Sequence, residues 1–226
     1  MILAEAPVRH TAANPMQSNR QRLLRSLRRL SRADLPTGTV KLARYLVGKV
    51  LLHDLPAGRL SGRIVETEAY LVGDAACHAF RGQTPRNASV FLAPGHAYVY
   101  FIYGSCYMMN VSAEAEGIGA AVLLRALEPL EGIDLMERHR HTTRRFDLAR
   151  GPGRLAAAMR IDRRLDGVDL CAGGGPLWLG ATGPEKRRAS PIGKSVRIGV
   201  TKELDRVLRF YERGSPFVSG PKRLRA

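Results

Sequence analysis

Two carboxylates and a tyrosine alternate along residues 62–70, a stretch rich in β-branched residues. In a regular strand, Glu66, Glu68 and Tyr70 would point to one face, because successive side chains of a strand switch faces. A carboxylate at the end of a strand, just before a polar loop, is well placed to act as a general base. The competing interpretation is that both glutamates belong to the solvated face of an edge strand. The spacing alone does not decide which glutamate would be catalytic.

Residues that can stack on a base or grip a phosphate are concentrated around this stretch. They are Tyr70, His78, Tyr98, Tyr100, Tyr103 and Tyr107 among Arg81, Arg86 and Arg125. Aromatic faces interleaved with arginine are what the binding of an extrahelical or single-stranded base requires. Strand packing is the alternative for Tyr98, Tyr100 and Tyr107. Tyr103 precedes a glycine at a predicted hairpin tip, a position that suits a wedge between bases better than a core.

The charge balance favours a nucleic-acid partner. The 226 residues include 36 Lys and Arg against 20 Asp and Glu, for a net charge of +16. Most of these cations are arginine, whose planar fork grips phosphate at two points, and neutralised phosphates release counterions on binding. An arginine-rich coding bias is the alternative explanation.

Cysteine usage and hydropathy exclude other classes. Three widely separated cysteines without a CxxC pair argue against a disulfide framework and against a cysteine-based zinc site, and they favour a reducing compartment. No stretch approaches the roughly 18 apolar residues of a membrane-spanning helix. We therefore expect a soluble protein with no membrane partner.

The pattern along residues 37–226 predicts one mixed α+β domain with its strands clustered in the middle. Helices are predicted at 40–47, 131–140 and 152–160, and strands at 49–53, 60–69, 97–102, 107–112, 120–127, 196–200 and 208–211, with another near Trp178. Thr39 is the expected N-cap of the first helix and Gly48 its expected end. A hairpin is predicted across 56–58, and a long loop of the kind that is usually functional across 71–89.

Residues 1–36 are predicted to be a basic extension, with seven arginines and two acidic residues. Leu23, Leu24, Leu27 and Leu30 recur there at helical spacing, with arginines on the other face. A basic arm on nucleic acid, a transit peptide and a helix packed on the domain all fit this composition.

Several segments, in order, carry a resemblance to a known family. They are RIVETEAY (63–70), QTPRN (83–87), PGHAYVY (94–100), YG (103–104) through MN (109–110), LLRALEPLEG (123–132), GPGRL (151–155) and RFYERGSPFVS (209–219). Together they span about residues 40 to 219, and the chain resembles the alkyladenine (3-methyladenine) DNA glycosylases.

The resemblance implies a fold, an activity and a partner. The fold would be a curved, mostly antiparallel sheet flanked by helices, with a protruding hairpin that intercalates into DNA. The activity would be that of a monofunctional base-excision-repair glycosylase, which flips an alkylated or deaminated purine out of duplex DNA and hydrolyses its N-glycosidic bond without a cofactor or metal. Expected substrates are 3-methyladenine, 7-methylguanine, hypoxanthine and ethenoadenine. The protein would be a monomer, located in the bacterial cytoplasm at the nucleoid, or in an organelle or the nucleus if the source is eukaryotic.

The resemblance also assigns catalytic roles by position. Glu68 would activate the water, and Arg125 and the main-chain carbonyl of Ile198 would help to hold it. An anionic carboxylate there would stabilise the oxocarbenium character that develops on the sugar. Glu66 would have no catalytic role.

Other positions would bind the base and the DNA. Tyr70 and His78 would sandwich the flipped base with Tyr100 on its edge, Asn110 would clash with the 2-amino group of normal guanine, and Tyr103 would fill the gap left in the duplex. Arg86 and Val90 are expected on the DNA side. Val90 and Met109, near the wedge, would either press on the DNA or pack within the protein.

Rival interpretations make different demands on the residues. In a non-catalytic damaged-DNA-binding module, Glu68 would be incidental. A bifunctional glycosylase and lyase needs an amine nucleophile, and none of the six lysines adjoins 68–70 in the sequence. A zinc deaminase would need a signature that is missing. His139 and His141, two apart on a predicted helix, point away from each other and fit a solvated basic face better than a metal site.

Overall fold

The computed structural model describes residues 24, 26–182 and 191–224. Within these ranges the chain forms a curved, antiparallel sheet of nine strands. The strands are β1 (Leu27–Arg29), β2 (Val50–Leu55), β3 (Gly58–Tyr70), β4 (Ala97–Ile102), β5 (Cys106–Ser112), β6 (Ala121–Glu131), β7 (Leu177–Thr182), β8 (Ile192–Ser195) and β9 (Arg209–Glu212). The α-helices in these ranges are α1 (Thr39–Leu46), α2 (Ile133–Arg140) and α3 (Pro152–Ala158). The predicted α+β class is confirmed.

Strand β3 is the centre of the sheet. The strand order is β1-β7-β2-β3-β6-β5-β4, and β9 pairs with β3 and with β8. The first half of β3 pairs with β2, and its second half pairs with β9 at Glu66, Thr67 and Glu68. Strand β6 runs along the other side of β3, with register shifts near Ile64 and Glu66. Glu66 and Glu68 are therefore flanked by strands on both sides.

The main core lies between the sheet and helices α1 and α3. Leu42 and Leu46 of α1 are fully buried with Ile64 and Leu124 of the sheet, and Leu155 of α3 joins the same cluster. Each such side chain contributes roughly 1.5–3 kcal/mol through burial. The helices thus cover one side of the sheet and hold β3 and β6 in place.

Helix α1 begins one residue earlier than the sequence predicted. Its N-cap is Gly38, with φ 95°, and Thr39 is already helical. The backbone N–H and the hydroxyl of Thr39 both donate to Glu114 Oε1, at 2.8 and 2.6 Å. A carboxylate from a distant segment therefore satisfies the helix start, which local sequence does not reveal.

Most predicted strands are confirmed, but the strand predicted at 196–200 is wrong. The hairpin across 56–58 forms between β2 and β3 as expected. Residues 196–200 instead form an irregular loop, and the nearby strand is β8, four residues earlier. The loop backbone bonds to side chains of β3 and β6, which is why this apolar stretch is not a strand.

The helical spacing of the leucines across 21–30 does not produce a helix at residues 27–30, so this part of the segment does not fit the alternative of a helix packed on the domain. Leu27–Arg29 forms β1, which pairs with β7, and the Leu30 N–H donates to the Leu179 carbonyl at 2.9 Å. Pairing with an available sheet edge overrides the helical spacing of the leucines. Residues 1–23 and 25, which carry most of the basic extension, lie outside the described residues.

None of the helices within the described ranges has the length and apolar content that crossing a membrane takes.

Leu30 tests whether this segment is part of the folded unit. Its side chain is fully buried, so Leu30→Ala should lower the free energy of unfolding by about 2–5 kcal/mol in denaturant titrations. The control is Val72→Ala, at an exposed position, with an expected change under about 0.5 kcal/mol. Equal effects of the two substitutions would show that residues 27–30 do not belong to the cooperative fold.

Candidate active site

The two glutamates of β3 are buried in the middle of the sheet. Both side chains have no exposed surface, so the interpretation of a solvated edge is wrong. They share one face, as the alternation predicted, because both accept hydrogen bonds from Arg125 of β6. A carboxylate can stay charged in such a place only when cations and N–H groups compensate it.

Three groups hold the carboxylate of Glu68. Arg125 Nη1 donates to Glu68 Oε2 at 3.1 Å, and the hydroxyl of Tyr70 donates to the same oxygen at 3.0 Å. The backbone N–H of Ile198 donates to Oε1 at 2.7 Å. Arg125 Nη1 also lies 3.4 Å from the Ile198 carbonyl oxygen. The structure therefore brings together all three residues that the sequence analysis selected for the water site.

Burial and neighbouring charges shift the pKa values of the two glutamates in opposite directions. Burial raises the pKa of Glu68 above its usual range, although Arg125 and the Ile198 N–H act in the opposite direction. For Glu66, burial is again the largest effect, but Arg125 and Arg209 together outweigh it and hold the pKa below its usual range. Two carboxylates whose environments push their pKa values apart can take different roles. Glu68, whose pKa is raised, is the better proton acceptor near neutral pH.

Glu66 joins two arginines and the C-terminal segment. Its Oε1 accepts from Arg125 Nε at 2.9 Å and from Arg209 Nε at 2.6 Å. Ser219 donates its backbone N–H to Oε2 at 2.6 Å and its hydroxyl to Oε1 at 2.9 Å. Sequence reasoning missed Arg209 and Ser219, whose only signal was their place in the RFYERGSPFVS segment.

A cavity of about 410 Å³ opens beside Glu68. This volume lies within the roughly 300–1,000 Å³ that is typical of small-ligand sites. Tyr70, Arg125 and Ile198, which hold the Glu68 carboxylate, line it together with His78, Tyr98, Tyr100, Asn110 and Tyr103. The residues that the sequence analysis assigned to base binding therefore surround one space.

Aromatic side chains form one wall of the cavity. His78 Nδ1 lies 2.8 Å from the Tyr98 hydroxyl, and the ring centres of His78 and Tyr100 are 4.5 Å apart. His78 is open to the cavity mouth, yet protein crowds its other sides, and this desolvation, with nearby Arg86, lowers its pKa. Burial likewise raises the pKa of Tyr100 to about 12. At neutral pH the wall is therefore uncharged and suited to stacking.

A buried ion pair lies behind Tyr70, another residue of the cavity lining. Arg197 donates to both carboxylate oxygens of Asp74 and to the Ala69 carbonyl. Its guanidinium lies 4.7 Å from the centre of the Tyr70 ring, on the face of that ring. Asp74 follows β3 and Arg197 precedes Ile198, so this pair ties together the two loops that border the cavity. The sequence carries no signal for this pair, because an Asp and an Arg 123 residues apart share no motif.

Tyr103 lies at the tip of the β4–β5 hairpin and is 71% exposed. Its φ is 56° and that of Gly104 is 64°, and the Ser105 N–H donates to the Ile102 carbonyl to close the turn. A non-glycine residue in the left-handed region is uncommon. The turn presents the ring at the cavity rim.

The remaining predicted DNA contacts occupy different environments. Arg86 is exposed and donates to the Phe101 carbonyl beside the hairpin, at 3.2 Å. Val90 is only 1% exposed and packs with Tyr98 and Tyr100 in the cavity wall, and Met109 is fully buried in the main core.

Lys202 is a further residue that sequence reasoning did not place. No lysine adjoins 68–70 along the chain, yet the 198–202 loop brings Lys202 to the cavity lining.

His139 Nδ1 lies 3.1 Å from the Ala158 carbonyl oxygen. Within the described ranges, no three His, Cys, Asp or Glu side chains are grouped so that they could hold a metal ion.

Comparison with known proteins assigns the chain to a family. A model of the methylpurine-DNA glycosylases matches residues 34–216. A protein of Mesorhizobium japonicum is 62% identical over 195 residues, covering 86% of this chain and 92% of the relative. A protein of Paraburkholderia phytofirmans is 56% identical, over 86% of this chain and 90% of the relative. A protein of Methanocella arvoryzae is 47% identical, over 80% of this chain and 90% of the relative. All three are named "Putative 3-methyladenine DNA glycosylase". The family match covers most of the chain, and the relatives are similar over most of their length. The chain therefore belongs to the methylpurine-DNA glycosylase family, whose members hydrolyse N-glycosyl bonds in DNA.

Proposed function

We propose that the chain is a monofunctional glycosylase that flips an alkylated or deaminated purine out of duplex DNA into this cavity and hydrolyses the N-glycosidic bond with a water activated by Glu68. The observation that carries the proposal is the buried Glu68 carboxylate, held by Arg125, Tyr70 and Ile198 beside an aromatic cavity. Because every one of these residues comes from one chain, a monomer is sufficient.

Glu68 deprotonates the water that attacks C1′ of the sugar. The raised pKa of Glu68 makes its carboxylate a stronger base than an exposed glutamate. Glu68 takes a proton from water while the water oxygen forms the new bond to C1′, and the electrons of the C1′–N bond leave with the purine. The Ile198 carbonyl and Arg125 are 3.4 Å apart and flank the carboxylate, so they orient the water. The anionic carboxylate also stabilises the positive charge that develops on the sugar.

The damaged base differs from a normal one in how readily it leaves and how readily it flips. A cationic alkylated purine such as 3-methyladenine or 7-methylguanine leaves as a neutral molecule. Hypoxanthine or ethenoadenine must first be protonated. Unstacking costs a few kcal/mol and least for a mispaired or damaged base, so flipping itself contributes to selectivity.

The cavity walls select the base that enters. Tyr70, backed by Arg197, and His78, both of the cavity lining, stack on the two faces of the purine, and Tyr100 beside His78 meets its edge. Asn110 is buried and its amide donates to the Tyr98 carbonyl at 3.2 Å, so it is held where a 2-amino group meets it. Unmodified guanine, which carries that amino group on a neutral base that leaves poorly, is thereby rejected. The positive charge of 7-methylguanine makes the base leave readily enough to offset the same clash.

Replacement of Glu68 tests the chemistry. Glu68→Gln should lower single-turnover excision of hypoxanthine or ethenoadenine from duplex DNA by roughly 10²- to 10⁴-fold, since the general base is lost. Binding to a duplex with an abasic-site mimic should be retained. The matched control, Glu116→Gln, lies on an exposed turn and should leave excision unchanged.

Alkali treatment separates the proposal from its rivals. With wild type, strand breaks should appear only after alkali, and Lys202→Ala should not alter that result. Breaks without alkali that disappear in Lys202→Ala would identify a lyase that uses Lys202 as its amine. Equal excision by wild type and Glu68→Gln would overturn the assignment of Glu68 as the base. Tight binding without excision of alkylated or deaminated purines by either protein would favour the non-catalytic binding module.

Tyr103 tests base flipping. The exposed ring is the candidate for the space that the flipped nucleotide leaves. Tyr103→Ala should lower the single-turnover excision rate by roughly 5- to 150-fold, as expected for the loss of one stacking contact. Tyr103→Phe, which keeps the ring, should stay close to wild type. Unaltered excision by Tyr103→Ala would exclude the wedge role.

A further inference from the structure

We propose that Glu66 and Arg209 are positioning residues that act on Glu68 through Arg125, so that the C-terminal segment is part of the catalytic machinery. This inference rests on the proposed function, in which Glu68 is the base.

The contacts form an unbroken chain from Leu224 to the cavity. Arg209 Nη1 donates to the Leu224 carbonyl at 2.6 Å, and Nη2 donates to the Ser219 carbonyl at 3.0 Å. Its Nε donates to Glu66, which accepts from Arg125, which in turn donates to Glu68. The Arg209–Leu224 contact is partly exposed, but the links from Ser219 through Arg209, Glu66 and Arg125 to Glu68 are buried, so bulk water does not replace a missing partner there.

Glu66 sets the orientation of the Arg125 guanidinium. Arg125 Nε donates to Glu66 and Nη1 donates to Glu68, so the two carboxylates hold two different corners of one rigid plane. Nη2 lies 3.4 Å from the Ser219 hydroxyl. Without Glu66, Glu68 would be the one carboxylate left on the plane, beside the longer contacts to Ser219 and Ile198, and the donor aimed at the water site would lose its fixed direction.

Glu66 and Arg209 also balance the charge around Glu68. Glu68 faces Arg125 of β6, Glu66 and Tyr70 of its own strand, and Tyr100 of β4, while Glu66 faces Arg125 and Arg209. The four ionic groups carry two negative and two positive charges. Glu66 raises the pKa of Glu68 by like-charge repulsion, whereas Arg125 lowers it. Removing either outer partner therefore shifts the proton affinity of Glu68 in a direction that charge alone dictates.

The test is the pH dependence of excision by charge-altered variants. The substrate is a duplex with one 7-methylguanine, whose cationic base needs no further proton to leave. The acid limb of the single-turnover rate then reports the loss of the Glu68 carboxylate. In Glu66→Gln an unbalanced arginine remains, so the limb should move to lower pH. In Arg209→Gln an unbalanced carboxylate remains, so the limb should move to higher pH.

Restoring the charge balance provides the matched control. The double variant Glu66→Gln/Arg209→Gln should return the limb towards wild type. Rates at pH 8 should fall roughly 10- to 100-fold in both single variants, as is usual when the partner of a site residue is lost. Ser219→Ala removes hydrogen bonds without changing charge and should leave the limb in place. Identical limbs in all four variants would show that Glu66 and Arg209 only support the fold.

Two further measurements keep the outcome clear. Thermal unfolding checks that each variant is folded, and where Glu66→Gln is not, the comparison of Arg209→Gln with the double variant carries the same test. The Glu68 carboxyl carbon is followed by NMR in protein labelled with ¹³C-glutamate, with Glu68→Gln as the assignment control. Opposite shifts of its titration in the two single variants would show that Glu66 and Arg209 act on Glu68 even if wild type excises no base, a result that would overturn the proposed function and with it the catalytic part of the inference.

Discussion

The interaction on which the rest of the structure depends is the buried group of charges at the centre of the sheet. Two carboxylates of β3 and the guanidiniums of Arg125 and Arg209 have lost nearly all contact with water. Such burial is costly for each ion alone, and it is tolerated only when partners and hydrogen bonds are complete. The register of β3 against β6 and β9 is therefore constrained by charge as well as by packing, since a slip of one residue would turn the carboxylates away from Arg125.

This constraint extends outward to the loops that form the cavity. The 196–200 segment is not a strand, because its backbone serves Glu68 and Arg125 instead of a neighbouring strand. The Asp74–Arg197 pair then fixes that loop to the end of β3 and places a cation behind Tyr70. The rigid walls of the cavity are thus attached to the same strand that carries the proposed base, which keeps the base and the bound purine in a fixed relation.

Much of the site was predictable because it lies on regular strands. Alternation along 62–70 predicted that Glu66, Glu68 and Tyr70 share a face, and Tyr103 was expected at a hairpin tip, as the structure shows. The resemblance to the glycosylases supplied the choice between the two glutamates, which spacing had left open. The burial of both carboxylates was not predictable from spacing, because it requires β9 and β6 on either side of β3.

The sequence by itself determined most of the local elements, the family and the list of side chains that could bind a base. Periodicity and turn residues act over a few neighbours, so they specify strands, hairpins and helices without knowledge of the rest of the chain. Only the tertiary structure decided which groups meet: Arg209 and Ser219 with Glu66, Lys202 with the cavity, and Leu27–Arg29 with the edge strand β7. These contacts join residues far apart in the chain, and charge compensation in a buried space is a property of the assembled fold, not of any one segment.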